Sequence, residues 1–413
     1  MQSKNIFIPH EISYPLLWTF DFALPLILKK ALNIDGIDID EEDKTRLRSL
    51  SSKRILYISN HPSTIEPAIA YYVANVMGSR FHYMASRNVF NWGLGLAGEI
   101  IKRVGAFSVL AGGADKNSIK MARSVLAQKS GKLAIYPEGM LTGENDNLIP
   151  FMPGVAQIGL WGLEDALKKD SQADIQVLSV FVKYVLSGTP RELHKEIETS
   201  IQKIEKKLNI TSNMKNNLLN RFIEVGKILL ENAERDYNIK PEPNWDYNYR
   251  AGRVRHEALN QAAHKLGIKF SEKDDAIHKI REIFTVIDEL EAGLRNSKAS
   301  NLSKDDLSKI KKEVERAYIF LIIKVDYLVS YPSAERFMEW IYRFENVLFG
   351  ETKLRPRRAK VTTFEPFGLM EYYPSYKRNK KETVIKVTER LRHDMEALMT
   401  NCISLTKPMI STI

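Results

Sequence analysis

Between residues 54 and 186 the chain repeats one pattern, a short apolar run followed by a helix-length segment. The runs are RILYISN (54–60), FHYMAS (81–86), GAFSVL (105–110), KLAIYPEG (132–139) and IQVLSVFVKYVL (175–186). The segments between them include PAIAYYVANVMG (67–78), NWGLGLAGEIIKRV (91–104), DKNSIKMARSVLAQKSG (115–131) and GVAQIGLWGLEDALKK (154–169). These carry helical spacing, with Pro67 suited to a first turn and Gly78 and Gly131 to a stop. Strands joined by helices are too far apart in sequence for hairpins, so they pair in parallel with the helices covering the faces. The pattern predicts an α/β domain over 51–190 built on a mainly parallel sheet.

Beyond residue 190 the texture changes. Charged amphipathic stretches at 191–209, 214–235, 253–265, 272–296, 303–329, 333–348 and 382–400 predict a helical C-terminal domain spanning 191–413. Ser303, with Asp306 three residues on, reads as a helix cap. Residues 1–50 are set apart by YPLLWTFDFALPLIL (14–28), which is apolar and aromatic but interrupted by Asp21, Pro15 and Pro25 and followed by Lys29 and Lys30. It is too short to span a bilayer, and no run of 18 or more apolar residues exists elsewhere. Two readings stay open. It is a buried N-terminal helix, or an interfacial segment with Trp18, Phe20 and Phe22 at headgroup level and the lysines against anionic lipid. The start also lacks a signal-peptide layout. The expected location is peripheral, on the cytoplasmic side of a membrane.

The net charge of +10 favours anionic partners, whether nucleic acid, acidic lipid or phosphorylated substrate. The single cysteine, Cys402, excludes an internal disulfide framework, and no local signature makes it a nucleophile.

In an open parallel sheet ligands bind outside the carboxyl ends of the strands. Two stretches fall there. In NHPSTIEP (60–67), Pro62 keeps His61 out of the helical region and Pro67 puts Glu66 at the helix start. On one continuous helix these side chains would stand about 140° apart. The loop instead lets them meet, and a carboxylate on one ring nitrogen fixes the tautomer and raises the basicity of the other. The plain alternative is a turn histidine and a glutamate at a helix dipole. In YPEG (136–139), Pro137 and Gly139 shape a tight turn and place Glu138 at the sheet edge, either to bind hydroxyls or as an exposed turn acid.

Together the two motifs resemble the glycerolipid acyltransferases, which include the lysophosphatidate acyltransferases. That family carries N-H-x4-D, then F-P-E-G, then a helix opening near P-G-x-A. Here the matching residues are Asn60, His61 and Glu66, then Tyr136, Pro137, Glu138 and Gly139, then PFMPGVAQIGL (150–160). The resemblance covers about residues 50–190. It implies an O-acyltransferase of phospholipid biosynthesis in which His61, oriented by Glu66, deprotonates an acceptor hydroxyl. That oxygen attacks a thioester carried by acyl-CoA or an acyl carrier protein, with no other cofactor and no metal. Tyr136, Pro137, Glu138 and Gly139 would bind the acceptor, a lysophospholipid or glycerol-phosphate-like lipid.

Three positions depart from the family. Glu66 stands where the family has aspartate, and Leu178–Ser179–Val180 stands where a late strand has proline. Leu110, Ala111 and Gly112 stand where an arginine holds the substrate phosphate, so Arg87, Arg103 and Lys116 are the candidates for that task. Two other readings compete. One is a non-catalytic membrane-binding or scaffold protein on the same fold. The other is nucleic-acid binding by KLRPRRAK (353–360) and KRNKK (377–381), whose interleaved aromatics can stack bases. No nucleic-acid fold signature accompanies them, so no nucleic-acid partner is expected. Nothing in the sequence marks an oligomeric state.

Overall fold

The computed structural model describes residues 7–110, 115–210, 217–271, 273–291, 302–322 and 324–409. They fall into two compact units, Met1–Val185 with Pro356–Leu405, and Leu186–Arg355 with Thr406–Ile413.

The first unit is built on β1 (Ile34–Ile39), β2 (Arg54–Ser59), β3 (His82–Ser86), β4 (Ala106–Val109), β5 (Lys132–Ile135), β6 (Ile175–Leu186), β7 (Arg357–Thr363) and β8 (Phe367–Gly368). The strand order is β1-β7-β6-β2-β5-β3-β4, with β8 antiparallel on β6. β2 pairs in parallel with both β5 and β6, and β3 with β4 and β5. The mainly parallel sheet expected from the sequence is therefore present. Its central strands are buried on both faces, which is why they read as continuous apolar runs.

The crossovers are α3 (Glu66–Val76), α4 (Leu96–Arg103), α5 (Lys116–Leu126) and α6 (Gly154–Leu167), preceded by α1 (Tyr14–Leu26) and α2 (Glu41–Ser49). Asp115 caps α5 through the amides of Asn117 and Ser118. Residues 1–50 are not a separate segment. They contribute β1, and the chain before α1 ties onto β4, with Ile8 and Ser108 exchanging two hydrogen bonds. α1 itself buries Leu17 and Leu24 and leaves Tyr14, Trp18, Phe22 and Leu26 exposed at intervals of four. Phe20, expected beside Trp18 and Phe22, instead packs on Tyr71. Asp21 accepts from Tyr71, Asn75 and Arg80, so the acid that interrupts the apolar run anchors the helix. No helix among the described residues is long and apolar enough to cross a membrane.

The second unit is helical: α7 (Pro190–Lys207), α8 (Leu218–Asp236), α9 (Tyr247–Leu266), α10 (Ala276–Glu291), α11 (Lys304–Ile322), α12 (Val325–Ser330) and α13 (Ala334–Phe349). Ser303 caps α11, as its spacing from Asp306 predicts. The stretch KPEPNWDYNYR (240–250) ends inside α9, where Asp246 caps through the Tyr249 amide.

The expected single helical domain over 191–413 does not hold. The chain leaves the second unit at residue 356 and inserts β7 between β1 and β6. α14 (Tyr373–Arg378) and α15 (Lys380–Ile403) follow. Val387, Leu391 and Met395 of α15 join one core with Leu56, Ile58, Leu133 and Phe181. Each such burial is worth about 1.5–3 kcal/mol. The cause of the misreading is visible in β7. Its RRAKVTT alternates the exposed Arg358 and half-buried Lys360 with buried Ala359, Val361 and Thr363, so one face is polar and the run reads as a basic patch. Arg358 and Lys360 there pair with Asp38 and Asp40, next to the parallel partner β1.

Candidate active site

β2 ends at Ser59, and the chain turns outward at Asn60. The Asn60 side chain takes the place of a ladder partner. Its amide donates to the Val182 carbonyl at 3.0 Å, and its oxygen accepts from the Val182 amide at 2.8 Å. This fixes where the next residue points. His61 Nδ1 lies 2.7 Å from Glu66 Oε2, at the start of α3, so the two prolines do permit the contact. A carboxylate only accepts, so Nδ1 carries the proton and Nε2 of a neutral ring keeps its lone pair. No protein group among the described residues bonds to Nε2, and the His61 side chain is 18% exposed.

Glu66 is fully enclosed and held by four donors. Oε2 also accepts from the Ser63 amide at 3.0 Å, and Oε1 accepts from the Ser63 hydroxyl at 2.8 Å and the Tyr184 hydroxyl at 2.5 Å. A carboxylate so surrounded keeps its lone pairs occupied despite burial. Burial and the neighbouring Glu66 charge hold the Tyr184 phenol well above its ordinary pKa, so it stays a donor.

Tyr184 is placed in turn by Asn145, which exchanges two 2.9 Å bonds with its backbone. The Arg357 guanidinium stacks on its ring at 4.1 Å. Phe364 N donates to Ser179 O while Arg357 meets Tyr184, so β6 and β7 run in opposite senses and Arg357 stands at the carboxyl end of β6.

The YPEG turn folds against this loop. The Tyr136 ring stacks on the His61 imidazole, with centroids 4.3 Å apart and planes 20° apart. Glu138 does not face outward. It is wholly buried, Oε1 accepts from the His61 amide and Oε2 from the Ile149 amide, both at 3.0 Å. Burial pushes its pKa up to about 7. Its geometry is that of a brace between two loops, in place of the expected binder of acceptor hydroxyls.

Gly139 has φ +66°, and a Cβ there would meet Met152 Sδ at 2.5 Å, so only glycine closes the turn. Its amide donates to the Tyr136 carbonyl and is spent within the turn. Pro137 is buried, and its carbonyl accepts from Met152. The YPEG residue that stacks on the imidazole is Tyr136. Thr142 N and Gly143 N close the assembly on the carbonyls of His61 and Pro62. Arg392 of α15 holds the far side through the carbonyls of Ile149 and Leu148, at 2.7 and 3.2 Å.

Of the three cations proposed for a phosphate, two stand at the carboxyl ends of strands, as the dyad does, and one does not. Arg87 follows β3 and Lys116 opens α5, both at carboxyl ends of strands, and Arg87 bonds Asn91. Arg103 closes the helix that runs back before β4, so it stands at the opposite end of the sheet. There it pairs with Glu99, and its carbonyl accepts from Ser13. Ala111 and Gly112, in the segment where the arginine was sought, lie outside the described residues.

Sequence reasoning missed Ser63, Asn145, Tyr184, Arg357 and Arg392. One signal was present, because Lys183 in the most apolar strand requires a buried partner. It has one in Asp146, beside Asn145. Nothing local marked Tyr184 or Arg357.

Residues 38–162 match a family model described as Acyltransferase. No curated protein and no solved structure matches the chain. The matched stretch contains both motifs of the site and stops short of Tyr184 and Arg357. Residues 38–162 therefore form a domain of the acyltransferase family.

Proposed function

We propose that the protein moves a fatty acyl group from a thioester donor, acyl-CoA or an acyl carrier protein, to a hydroxyl of a lysophospholipid or glycerol-phosphate-like acceptor. The observation that carries this reading is the 2.7 Å contact of His61 Nδ1 with a fully enclosed Glu66. His61 Nε2 takes the hydroxyl proton as the oxygen attacks the thioester carbonyl. The C–S bond then breaks, and the departing thiolate takes the proton back from the imidazolium. Glu66 holds the ring and offsets its transient charge. General-base catalysis of this kind supplies roughly 10²–10⁴-fold.

His61→Ala is expected to remove acyl transfer at an unchanged melting temperature, assayed with purified protein, an acyl thioester and a panel of lysolipids. Full turnover in that variant would refute the mechanism. Vesicle binding by the wild type with no turnover for any acceptor would favour the scaffold reading.

The exposed Tyr14, Trp18, Phe22 and Leu26, with Lys29 and Lys30 behind them, support docking on an anionic lipid surface. In the same assay, Trp18→Ser with Phe22→Ser should slow transfer to an acceptor in anionic vesicles and spare transfer to one in detergent. Equal loss in both would count against a lipid-facing helix.

A further inference from the structure

Arg357 opens β7, the strand by which the chain returns to the sheet after the helical unit. Its backbone amide donates to the Asn33 carbonyl at 3.0 Å, and the strand pairs in parallel with β1, so the side chain starts from a fixed base. The residue is 7% exposed. Even so, its Nε and Nη2 have no hydrogen-bond partner, and no ion pair holds the guanidinium among the described residues. Other cations of the same strand are paired, Arg358 with Asp38 and Lys360 with Asp40.

A guanidinium stays charged, and a buried charge without a partner is strongly disfavoured. What Arg357 has instead is the face of Tyr184, with 4.1 Å from Cζ to the ring centroid. Tyr184 is itself 3% exposed, and its hydroxyl donates to Glu66 Oε1 at 2.5 Å. One aromatic ring therefore lies between a buried cation and a buried carboxylate. The two contacts reinforce each other. A phenol that donates to a carboxylate gains negative charge in its ring, and that strengthens the hold of a cation on its face. Burial, and then the Glu66 charge, push the Tyr184 pKa up, and the Arg357 charge opposes them. An unpaired arginine beside an active site also suits a substrate anion. Against that, Nε and Nη2 are sealed from solvent, which denies an anion any approach to them.

We propose that Arg357 is a positioning residue for acyl transfer. It clamps the Tyr184 ring so that the hydroxyl stays on Glu66 Oε1 and the carboxylate stays on His61 Nδ1. The hydroxyl stands at the far end of a long side chain, so a small swing about χ1 would carry it out of hydrogen-bond range. A planar cation against the ring face resists that swing. Its charge also offsets the buried Glu66 carboxylate while the imidazole is neutral. The inference rests on the reading of His61 as general base.

The test is a double-mutant cycle in the full-length protein with Arg357→Gln and Tyr184→Phe, and Arg357→Lys as the variant that keeps the charge. The first readout needs no substrate. It is the His61 Nδ1 proton in histidine-labelled protein by NMR, which a strong bond to a carboxylate moves far downfield. Arg357→Gln should move it upfield, Arg357→Lys should hold it near the wild-type position, and the double variant should match Tyr184→Phe alone. The second readout is kinetic. Arg357→Gln should lower kcat about tenfold with KM nearly unchanged, the scale of a desolvated cation–π contact. In the Tyr184→Phe background the same change should cost less than about twofold, because residues that act through one another do not add. Losses that add in the double variant overturn the proposal, and so does a wild-type proton signal and kcat in folded Arg357→Gln. A raised KM at constant kcat also overturns it, since that marks a ligand for a substrate anion. Where Arg357→Gln fails to fold, arginine-labelled wild type decides. The Arg357 Nε proton should resonate upfield of the other arginines, in the current of the Tyr184 ring, and exchange slowly with solvent. A signal among those of the exposed arginines overturns the clamp. A wild type with no turnover for any acceptor refutes the acyl-transfer reading, and the His61 proton still decides this one.

Discussion

Glu66 is one methylene longer than aspartate, and its bonds show where the length goes. Oε2 serves His61 and the Ser63 amide, while Oε1 reaches the hydroxyls of Ser63 and Tyr184. Tyr184 therefore positions the carboxylate that positions the imidazole. Tyr184→Phe removes one donor and almost no volume. A hydrogen bond to a charged group contributes about 1.5–3 kcal/mol, so kcat should fall about 10–100-fold with KM nearly unchanged. A phenylalanine variant that keeps wild-type kcat would leave Tyr184 as packing alone. Glu138 shows the opposite case. Its sequence context resembled a substrate ligand, but both its oxygens accept backbone amides, so its contribution is to hold two loops in register.

At the scale of elements, the start of β3 carries an acid-sensitive contact. His82 is buried with its ring 4.4 Å from that of His10, and burial, with His10 beside it, lowers its pKa from 6.5 to about 4. Between those two values the unfolded chain binds a proton that the folded chain does not. Stability from this group is therefore complete above pH 6.5 and is lost as the pH falls toward 4, by at most about 3 kcal/mol. Guanidinium unfolding at pH 7.5 and pH 5 should show a drop in the wild type that His82→Gln lessens. Identical slopes with pH in the two proteins would exclude His82 as the source. The loops at the other end of the sheet show why element order was easier to foresee than site detail. Prolines 62 and 67 dictate locally that His61 and Glu66 leave a common helix. The Arg392 clamp on Leu148 and Ile149 joins residues more than 240 positions apart and leaves no local trace.

At the scale of the molecule, the acyltransferase fold is not closed by residue 190. β7 fills the sheet between β1 and β6, and α15 supplies part of the core beneath β2, β5 and β6. A chain ending at residue 190 would expose two strand edges and the apolar side chains that Val387, Leu391 and Met395 cover. It should lack a cooperative thermal transition by circular dichroism. A sharp transition near that of the full chain would show that the first 190 residues suffice. The helical unit is thus an excursion between β6 and β7, and the chain returns from it to complete the site with Arg357.

The sequence by itself determined what depends on neighbours along the chain. Apolar runs alternating with helical periods fixed the parallel sheet, prolines 62 and 67 opened the His61–Glu66 loop, and Ser303 capped its helix. Tertiary structure decided whatever depends on partners distant in sequence. It turned Glu138 inward, brought Tyr184 to Glu66, moved Arg103 to the far end of the sheet and drew a basic stretch into the sheet as β7. Hydrogen bonds to buried carboxylates and strand pairing are satisfied by whichever donor the fold delivers. Residue type and spacing record only the donors that lie close by.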